Sequence, residues 1–327
     1  MTCKKRINVA VVAGGNSTEY EVSLRSAENI MNHINRSLFN PFLVLMKGDE
    51  WCCVVDGVKM SVDKGRFSLF LEDEKIMFDV VFNMIHGTPG EDGMLQGYFD
   101  LLEIPVTSCG RLTSALTFNK YFCNRFVAAT QSVNLTDLVV IRKGSQIHQD
   151  DILSVTGLPC FVKPNQGGSS LGISKVKSAN ELQPALDLAF EQDDTVLAEA
   201  FIDGLEVTCG VFLSKGEVVV LPLTEIVPKT EYFDYAAKYL GKSDEITPAR
   251  IDIETENEIK RVSVYLFKLL ECKGFVRFDY IINPKGLYFL EVNTVPGMSK
   301  ESIVPQMLQH HGMSMGDFIT AIIEEVL

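Results

Sequence analysis

The sequence predicts an α/β protein built of more than one domain. Its 327 residues exceed what one ordinary hydrophobic core organises. Apolar runs of strand length recur, the first being "INVAVVA" at residues 7–13, and such unbroken runs suit strands buried on both faces of a sheet. Segments of helical period alternate with these runs, as in folds where helices cover a central sheet. Hydrophobic residues make up 46% of the chain and charged residues 22%, the balance of a soluble globular protein.

Gly14 and Gly15 break the first run. Over residues 23–34, Leu24, Ala27, Ile30, Met31 and Ile34 recur at helical spacing. "FNPFLVLMK" and "KIMFDVVFNMIHG" read as strands, and "DGMLQGYFDLLEIP" as a helix stopped by Pro105. Residues 1–110 therefore read as a small doubly wound α/β domain. A helix is expected over residues 113–129, with Ala115, Leu116, Phe122 and Phe126 toward the core. "GLPCFVKPNQGGSSLGISKV" reads as two strands around a Gly/Ser-rich loop, and "DTVLAEAFI" as a further strand. Between them "SANELQPALDLAFEQ" is a helix that buries Leu182, Ala185, Leu186 and Ala189, with Ser178 and Glu181 spaced for a capping box. These elements make a second α/β unit over residues 111–200. The third unit, 201–327, opens with "LEVTCGVFLSKGEVVVLPLTEIV", strands that turn at Lys215-Gly216. A polar, aromatic loop (228–250), a helix (about 254–272), a strand pair and an amphipathic "DFITAIIEEVL" follow.

The formal net charge of −13 argues against nucleic acid as a partner, because no general basic surface is available. An anion can still bind at a local cluster of Lys and Arg. Eight cysteines occur without a CxxC, which disfavours a zinc site or a disulfide framework and favours buried thiols in a reducing compartment. "MTCKKR" precedes a short apolar run with no credible cleavage region, so a buried first strand is expected there in place of a signal peptide. No apolar stretch reaches the roughly 18–20 residues of a membrane span. A cytoplasmic location without membrane contact is expected.

The strand pair "VRFDYIINPKGLYFLEVNTVPG" (276–297) carries Arg277, Asp279, Glu291 and Asn293 in an apolar setting. With a three-residue loop Pro284-Lys285-Gly286, Asp279 falls opposite Glu291 and Arg277 opposite Asn293, all on one face. Directly opposed carboxylates repel, so a cation is expected between them. Two carboxylates and an amide oxygen are hard ligands that suit Mg2+ together with phosphate oxygens. The alternative is a solvated sheet face with chance charges. "FVKPNQGGSSLGISKV" is either a cradle for phosphate, with backbone N–H groups and hydroxyls as donors, or an ordinary hairpin loop. It lacks the GxxxxGK[ST] pattern, and Gly14-Gly15 lacks GxGxxG, which disfavours a nicotinamide cofactor. "IHGTPGEDG" (85–93) lies at a strand's C-terminal end, where sites form, although a lone His86 is more often structural than catalytic.

Taken together, the segments resemble the ATP-grasp superfamily and within it the D-alanine–D-alanine ligase family. The matching pieces are "GGNSTEYEVSLRSA", "HGTPGEDGMLQGYFDLLEIPVTSCG", "LTFNKYFCNRF", "FVKPNQGGSSLGISKV", "AEAFIDGLEVT", "FDYAAKYL", "GFVRFDYIIN" and "FLEVNTVPGMSKESIVPQM". They stand in family order from about residue 14 to 308. The resemblance implies a three-domain ATP-grasp architecture whose N-terminal domain is doubly wound, with ATP gripped between the central and C-terminal domains.

By position in those motifs, Lys120, Lys163 and Lys238 would contact phosphate. Glu199 would face the adenine, Glu206 the ribose, and Ala200, Phe201 and Ile202 would offer main chain to the base. Asp279, Glu291 and Asn293 would hold two Mg2+ ions, with Mn2+ able to substitute. Glu19 would hold the ammonium of the first D-alanine and form a hydrogen-bonded group with Ser169 and Tyr239. His86 would lie beside that substrate. Arg277 and the Gly297 N–H would stabilise the oxyanion, and Ser302 and Ile303 would seat the second D-alanine. The resemblance implies ligation of two D-alanines through an acyl phosphate for peptidoglycan synthesis, by a homodimer, with the residues around Tyr232, Phe233, Tyr235 and Tyr239 as a lid. In the family, Tyr at position 239 goes with D-alanine as second substrate and Phe with D-lactate. The chain departs from the family in reading "NQGGSS" where a charged pair often precedes "GSS", and in Ala200 where some relatives have lysine. The competing readings are another ATP-grasp carboxylate–amine or D-alanine–D-lactate depsipeptide ligase, a non-catalytic nucleotide-binding regulator, and a Rossmann dehydrogenase.

Overall fold

The computed structural model describes residues 6–72, 74–168, 171–228 and 243–327. Its first elements are β1 (Ile7–Gly14), α1 (Tyr20–His33), β2 (Phe39–Lys47), β3 (Glu50–Val55), β4 (Val58–Ser61), β5 (Ser68–Leu71), β6 (Glu74–Met77), β7 (Val80–Asn83) and α2 (Met94–Leu101). Next come α3 (Arg111–Phe118), α4 (Lys120–Ala128), β8 (Leu138–Arg142), α5 (Gln149–Thr156), β9 (Cys160–Pro164), β10 (Ser174–Val176), α6 (Leu182–Phe190) and β11 (Thr195–Ala200). The last are β12 (Leu205–Ser214), β13 (Glu217–Val220), β14 (Thr224–Pro228), β15 (Ser243–Ile246), α7 (Ile253–Leu269), β16 (Phe275–Asn283), β17 (Gly286–Asn293), α8 (Ile303–His311) and α9 (Met315–Glu324).

The first sheet has the order β4-β3-β2-β1-β7. β2, β1 and β7 are parallel, whereas β3 and β4 add an antiparallel edge. Alternation along β1 feeds two cores, which is why the run is apolar throughout. Val9, Val11 and Ala13 pack with Ala27 and Ile30 of α1, while Ala10 and Val12 pack with Phe67 and Phe99 on the other face. The run read as one strand over 75–87 divides, since β6 turns away to pair with β5 and only β7 joins the sheet.

The second sheet, β10-β9-β11-β8, is antiparallel, and α5 and α6 cover one face of it. Ser178 does not close the expected box by capping residue 181. Its hydroxyl donates to Glu181 Oε1 (2.8 Å), Glu181 Oε2 accepts from Lys177 N–H (2.8 Å), and a single 3-10 turn precedes α6. The third sheet runs β15-β14-β12-β16-β17, with β13 also on β12. β15 lies inside the segment read as loop.

The helix expected over 113–129 breaks at Asn119, whose extended backbone and side chain cap α4 by accepting from Phe122 N–H. The break resets the helical phase. Phe122 and Phe126 are therefore exposed, as is Ala115, and Cys123 and Val127 are buried in their place. α3 buries Thr113, Ser114 and Thr117, which a purely apolar pattern cannot flag, because their hydroxyls bond to main-chain carbonyls of Leu270, Cys109 and Thr113.

α8 and α9 join the outer units. Phe318 of α9 is fully buried and meets Phe212 and Phe275 edge-on, at 5.1 and 5.3 Å, within the same core as Val9 and Val11. The seven described cysteines are free, and all but Cys52 are buried. No described helix is long and apolar enough to cross a membrane. Phe318→Ala is expected to cost about 3–5 kcal/mol from lost burial and the cavity left behind, read as a lower urea midpoint. An unchanged midpoint would contradict the packing described.

Candidate active site

The third sheet has one apolar face and one divided face. Val207, Cys209, Val276, Phe278, Tyr280 and Val292 pack beneath α7. The alternating residues Glu206, Thr208, Arg277, Asp279, Glu291 and Asn293 therefore share the opposite face, which is apolar at its far end, where Phe212 and Phe275 are buried. Arg277 pairs with Asn293 and Asp279 with Glu291, as the sequence predicts. The turn does not follow the prediction. Asn283 pairs with Gly286 across a two-residue turn, and a register shift between Asp279 and Tyr280 restores the pairing at the charged end.

Each carboxylate is held by a cation. Arg277 binds Asp279 through two parallel bonds, Nε to Oδ1 (2.8 Å) and a terminal nitrogen to Oδ2 (2.7 Å). Thr208, directly across from Asp279 in the sheet, donates to Oδ1 (2.7 Å), and Asn293 Nδ2 donates to Oδ2 (3.0 Å). Lys120 Nζ stands 4.0 Å from Glu291 Oε2 and donates to Gly167 O (2.8 Å). The first turn of α4 also binds Asn165 through the main-chain N–H groups of Lys120 and Tyr121, so the phosphate-loop candidate is fixed to that helix.

This donor set fits a hard divalent cation. Two carboxylates face one another, and Asn293 spends its amide nitrogen on Asp279, which leaves its oxygen as the acceptor it can offer a metal.

A cavity of about 470 Å³ joins the units. Glu19, His86, Lys120, Arg277, Glu291, Asn293, Gly297, Ser302 and Ile303 of the predicted residues line it. Asp279 lies just behind Arg277 and Asn293. Burial holds the His86 imidazole below the usual histidine value, against the opposing pull of Glu19 and of the bond to Val295. The cavity wall also holds four charged residues that the sequence did not single out: Arg25, Glu91, Glu245 and Glu301. Glu91 was visible in "GEDG", but nothing in that string shows that its side chain turns inward.

Lys163, Glu199, Ala200, Phe201, Ile202 and Glu206 lie outside that cavity wall. Val162, Val196 and Ala198 pack against the helices of the second sheet, so Lys163 and Glu199 project from its other face. Lys163 Nζ bonds Glu199 Oε2 at 2.7 Å, and Glu199 Oε1 is buried without a donor among the described residues. A buried carboxylate oxygen in that state favours a ligand N–H, such as an exocyclic amine. The main chain of Ala200 is already engaged, its N–H with Asp137 O (2.9 Å) and its carbonyl with Thr136 Oγ1 (2.8 Å). Ser169, Lys238 and Tyr239, and with them the expected lid, lie outside the described residues.

The sequence matches the D-ala D-ala ligase N-terminus family over residues 8–109 and the D-ala D-ala ligase C-terminus family over residues 127–324. It is 44% identical to a D-alanine–D-alanine ligase of Phocaeicola vulgatus over 97% of this chain and 98% of that one. It is 43% identical to one of Flavobacterium johnsoniae with the same two coverages. Its structure is similar to that of the VanG D-Ala:D-Ser ligase of Enterococcus faecalis, with a TM-score of 0.87, 33% identity, and 99% and 100% of the two chains covered. D-alanyl-alanine synthetase A of Vibrio cholerae gives the same TM-score at 26% identity, with 99% of each chain covered.

Burial pushes the Glu91 carboxyl up to about 8, with Glu19 adding to the rise and N–H bonds from Gly87 and Val295 opposing it. The folded chain then keeps a proton that the unfolded chain releases near the ordinary value of 4.5. Stability from this group falls as pH rises between those two values. Glu91→Gln cannot titrate, so its melting temperature is expected to decline less than that of the wild-type chain from pH 5 to 8. Parallel declines would contradict the assignment.

Proposed function

The chain belongs to the D-alanine–D-alanine ligase family, and from that premise we propose how its residues join two D-alanines. It is an ATP-dependent, ADP-forming ligase that makes D-alanyl-D-alanine for peptidoglycan synthesis, on an ATP-grasp fold with an added N-terminal domain. The observation that best supports the residue assignments is the single cavity that Glu19, Lys120, Arg277, Glu291 and Gly297 line together.

A carboxylate is a poor electrophile, because an amine cannot expel its oxygen. In the proposed sequence, the first D-alanine binds with its ammonium on Glu19, beside Ser169, Tyr239 and the neutral His86. Its carboxylate takes the γ-phosphoryl group of ATP and becomes an acyl phosphate, and ADP is left. Lys120, Lys163 and Lys238 draw the phosphates in and offset the repulsion between two anions. Glu199 accepts from the adenine amine, Phe201 and Ile202 offer main chain to the base beside Ala200, and Glu206 meets the ribose. Asp279, Glu291 and Asn293 would hold two Mg2+ ions, replaceable by Mn2+, and the ions would supply charge neutralisation at the phosphates.

The second D-alanine is seated by Ser302 and Ile303. Its amine, once deprotonated, attacks the acyl carbon. Arg277 and the Gly297 N–H hold the oxygen that becomes negative. The carbonyl re-forms as the C–O bond to phosphate breaks, and phosphate leaves with the electron pair. Water must stay out, because acyl phosphates hydrolyse. We assign residues 1–110 to the substrate domain and 111–200 and 201–327 to the two halves of the nucleotide grip, in a cytoplasmic homodimer.

Phosphate release from ATP and Mg2+ is expected with D-alanine and not with L-alanine, with the dipeptide identified by mass. Release that does not depend on D-alanine would overturn the reading. Glu291→Ala is expected to lower turnover by at least about 100-fold at an unchanged melting temperature. Retained turnover at saturating Mg2+ would remove Glu291 from the metal site. Tyr239→Phe is expected to raise the share of depsipeptide formed from mixed D-alanine and D-lactate, and an unmoved product ratio would refute that specificity role.

A further inference from the structure

The loop that carries Gly297 is held largely by the N-terminal domain. Val295 has both main-chain groups engaged. Its N–H donates to Glu91 Oε1 (3.1 Å), and its carbonyl accepts from His86 Nδ1 (2.8 Å). Met298 is held in the same way, its N–H donating to Ser26 Oγ (3.1 Å) and its carbonyl accepting from Asn29 Nδ2 (2.7 Å). Ser26 Oγ lies 3.3 Å from His86 Nε2. A carbonyl can only accept, so Nδ1 carries the proton and Nε2 receives the Ser26 hydroxyl. The bonds then run in one direction from Met298 N–H through Ser26 and His86 to the Val295 carbonyl. Pro296 and Gly297 span the short interval between the two pinned residues. A Cβ at Gly297 would come within 2.8 Å of Ser302 Oγ, so the chain passes close against the second-substrate wall.

Glu91 joins this set from the turn that follows His86 and has no role in the proposed reaction. Its other oxygen, Oε2, accepts from Gly87 N–H (2.7 Å), and Gly87 follows His86 in the chain. Gly87 sits in the left-handed region at φ +68°, where a side chain would meet Ser17 2.8 Å away. One carboxyl therefore spans two main chains, the turn that presents His86 and the loop that presents Gly297. Each oxygen keeps an acceptor lone pair whether or not the group is protonated.

We propose that Glu91 is a positioning residue that sets the Gly297 N–H against the reacting carbonyl by bridging the N–H groups of Gly87 and Val295 across the domain boundary. This rests on Gly297 as the oxyanion donor. The reach is through main chain only. Glu91 acts on the transition-state donor without being required to touch either D-alanine.

Glu91→Gln tests this, because an amide nitrogen has no lone pair for one of the two N–H groups. The readouts are kcat, the KM for ATP, and the affinity of a tetrahedral phosphinate analogue of D-alanyl-D-alanine, measured on the full chain with ADP and Mg2+. Misplacing the donor is expected to lower kcat by about 10- to 100-fold and to weaken the analogue by a similar factor, with the KM for ATP unchanged. Lower kcat with unchanged analogue affinity overturns the proposal and leaves the oxyanion reading in place. If the wild-type chain binds the analogue no more tightly than the dipeptide, the oxyanion reading falls and the proposal falls with it. Should Glu91→Gln not fold, Glu91→Asp, which keeps both acceptors but lacks the reach, is read by the same criteria.

Discussion

Asp279 and Glu291 face each other across neighbouring strands, and the rest of the site is arranged around that repulsion. Two carboxylates so placed are tolerated only where cations stand close. Arg277 answers Asp279 from two residues away on the same strand, and Lys120 answers Glu291 from the start of α4. The requirement reaches back into the backbone. Asn119 must break the helix so that Lys120 begins a new one, and the strand pair needs a bulge to keep the charged residues opposed above a tight turn. An Asp279-to-Glu291 pair displaced by one residue would turn one carboxylate into the core beneath α7.

The same constraint explains why three sheets meet at one cavity. The third supplies the carboxylates, α4 supplies Lys120, and the second adds Pro164 at the end of β9 with Gln166, Gly167 and Gly168 after it. The loops of the first sheet bring Glu19 and His86 to the same cavity. Gly87 and Gly90 permit the tight turn that presents His86, and a Cβ at Gly90 would overlap the Ile85 carbonyl at 2.0 Å. The C-terminal helices close the arrangement, since Phe318 packs in the core shared by β1 and the third sheet.

Strand runs, helix faces and the pairing of Arg277 with Asn293 were legible because periodicity and cross-strand register are local properties of sequence. The turn at Pro284-Lys285 was not, since a bulge compensates for a turn one residue shorter and leaves no mark in the hydrophobic pattern. The helix break at Asn119 escaped for a related reason, as hydroxyl-bearing residues fill the buried face of α3. Most candidate site residues were found through motif resemblance, and the cavity gathers nine of them. Glu91 escaped because its burial depends on Val295, 204 residues away in the chain. No short-range pattern encodes a contact of that separation.

The central claim is that the opposed carboxylates exist to hold metal with the nucleotide. Counting bound Mn2+ by electron paramagnetic resonance, with and without ADP, tests it most directly. Two ions per chain with ADP in the wild-type protein, and fewer in Glu291→Ala at saturating ADP, is the predicted result. Equal counts in the two proteins would contradict the account and return Asp279 and Glu291 to a purely structural pair of ion bridges.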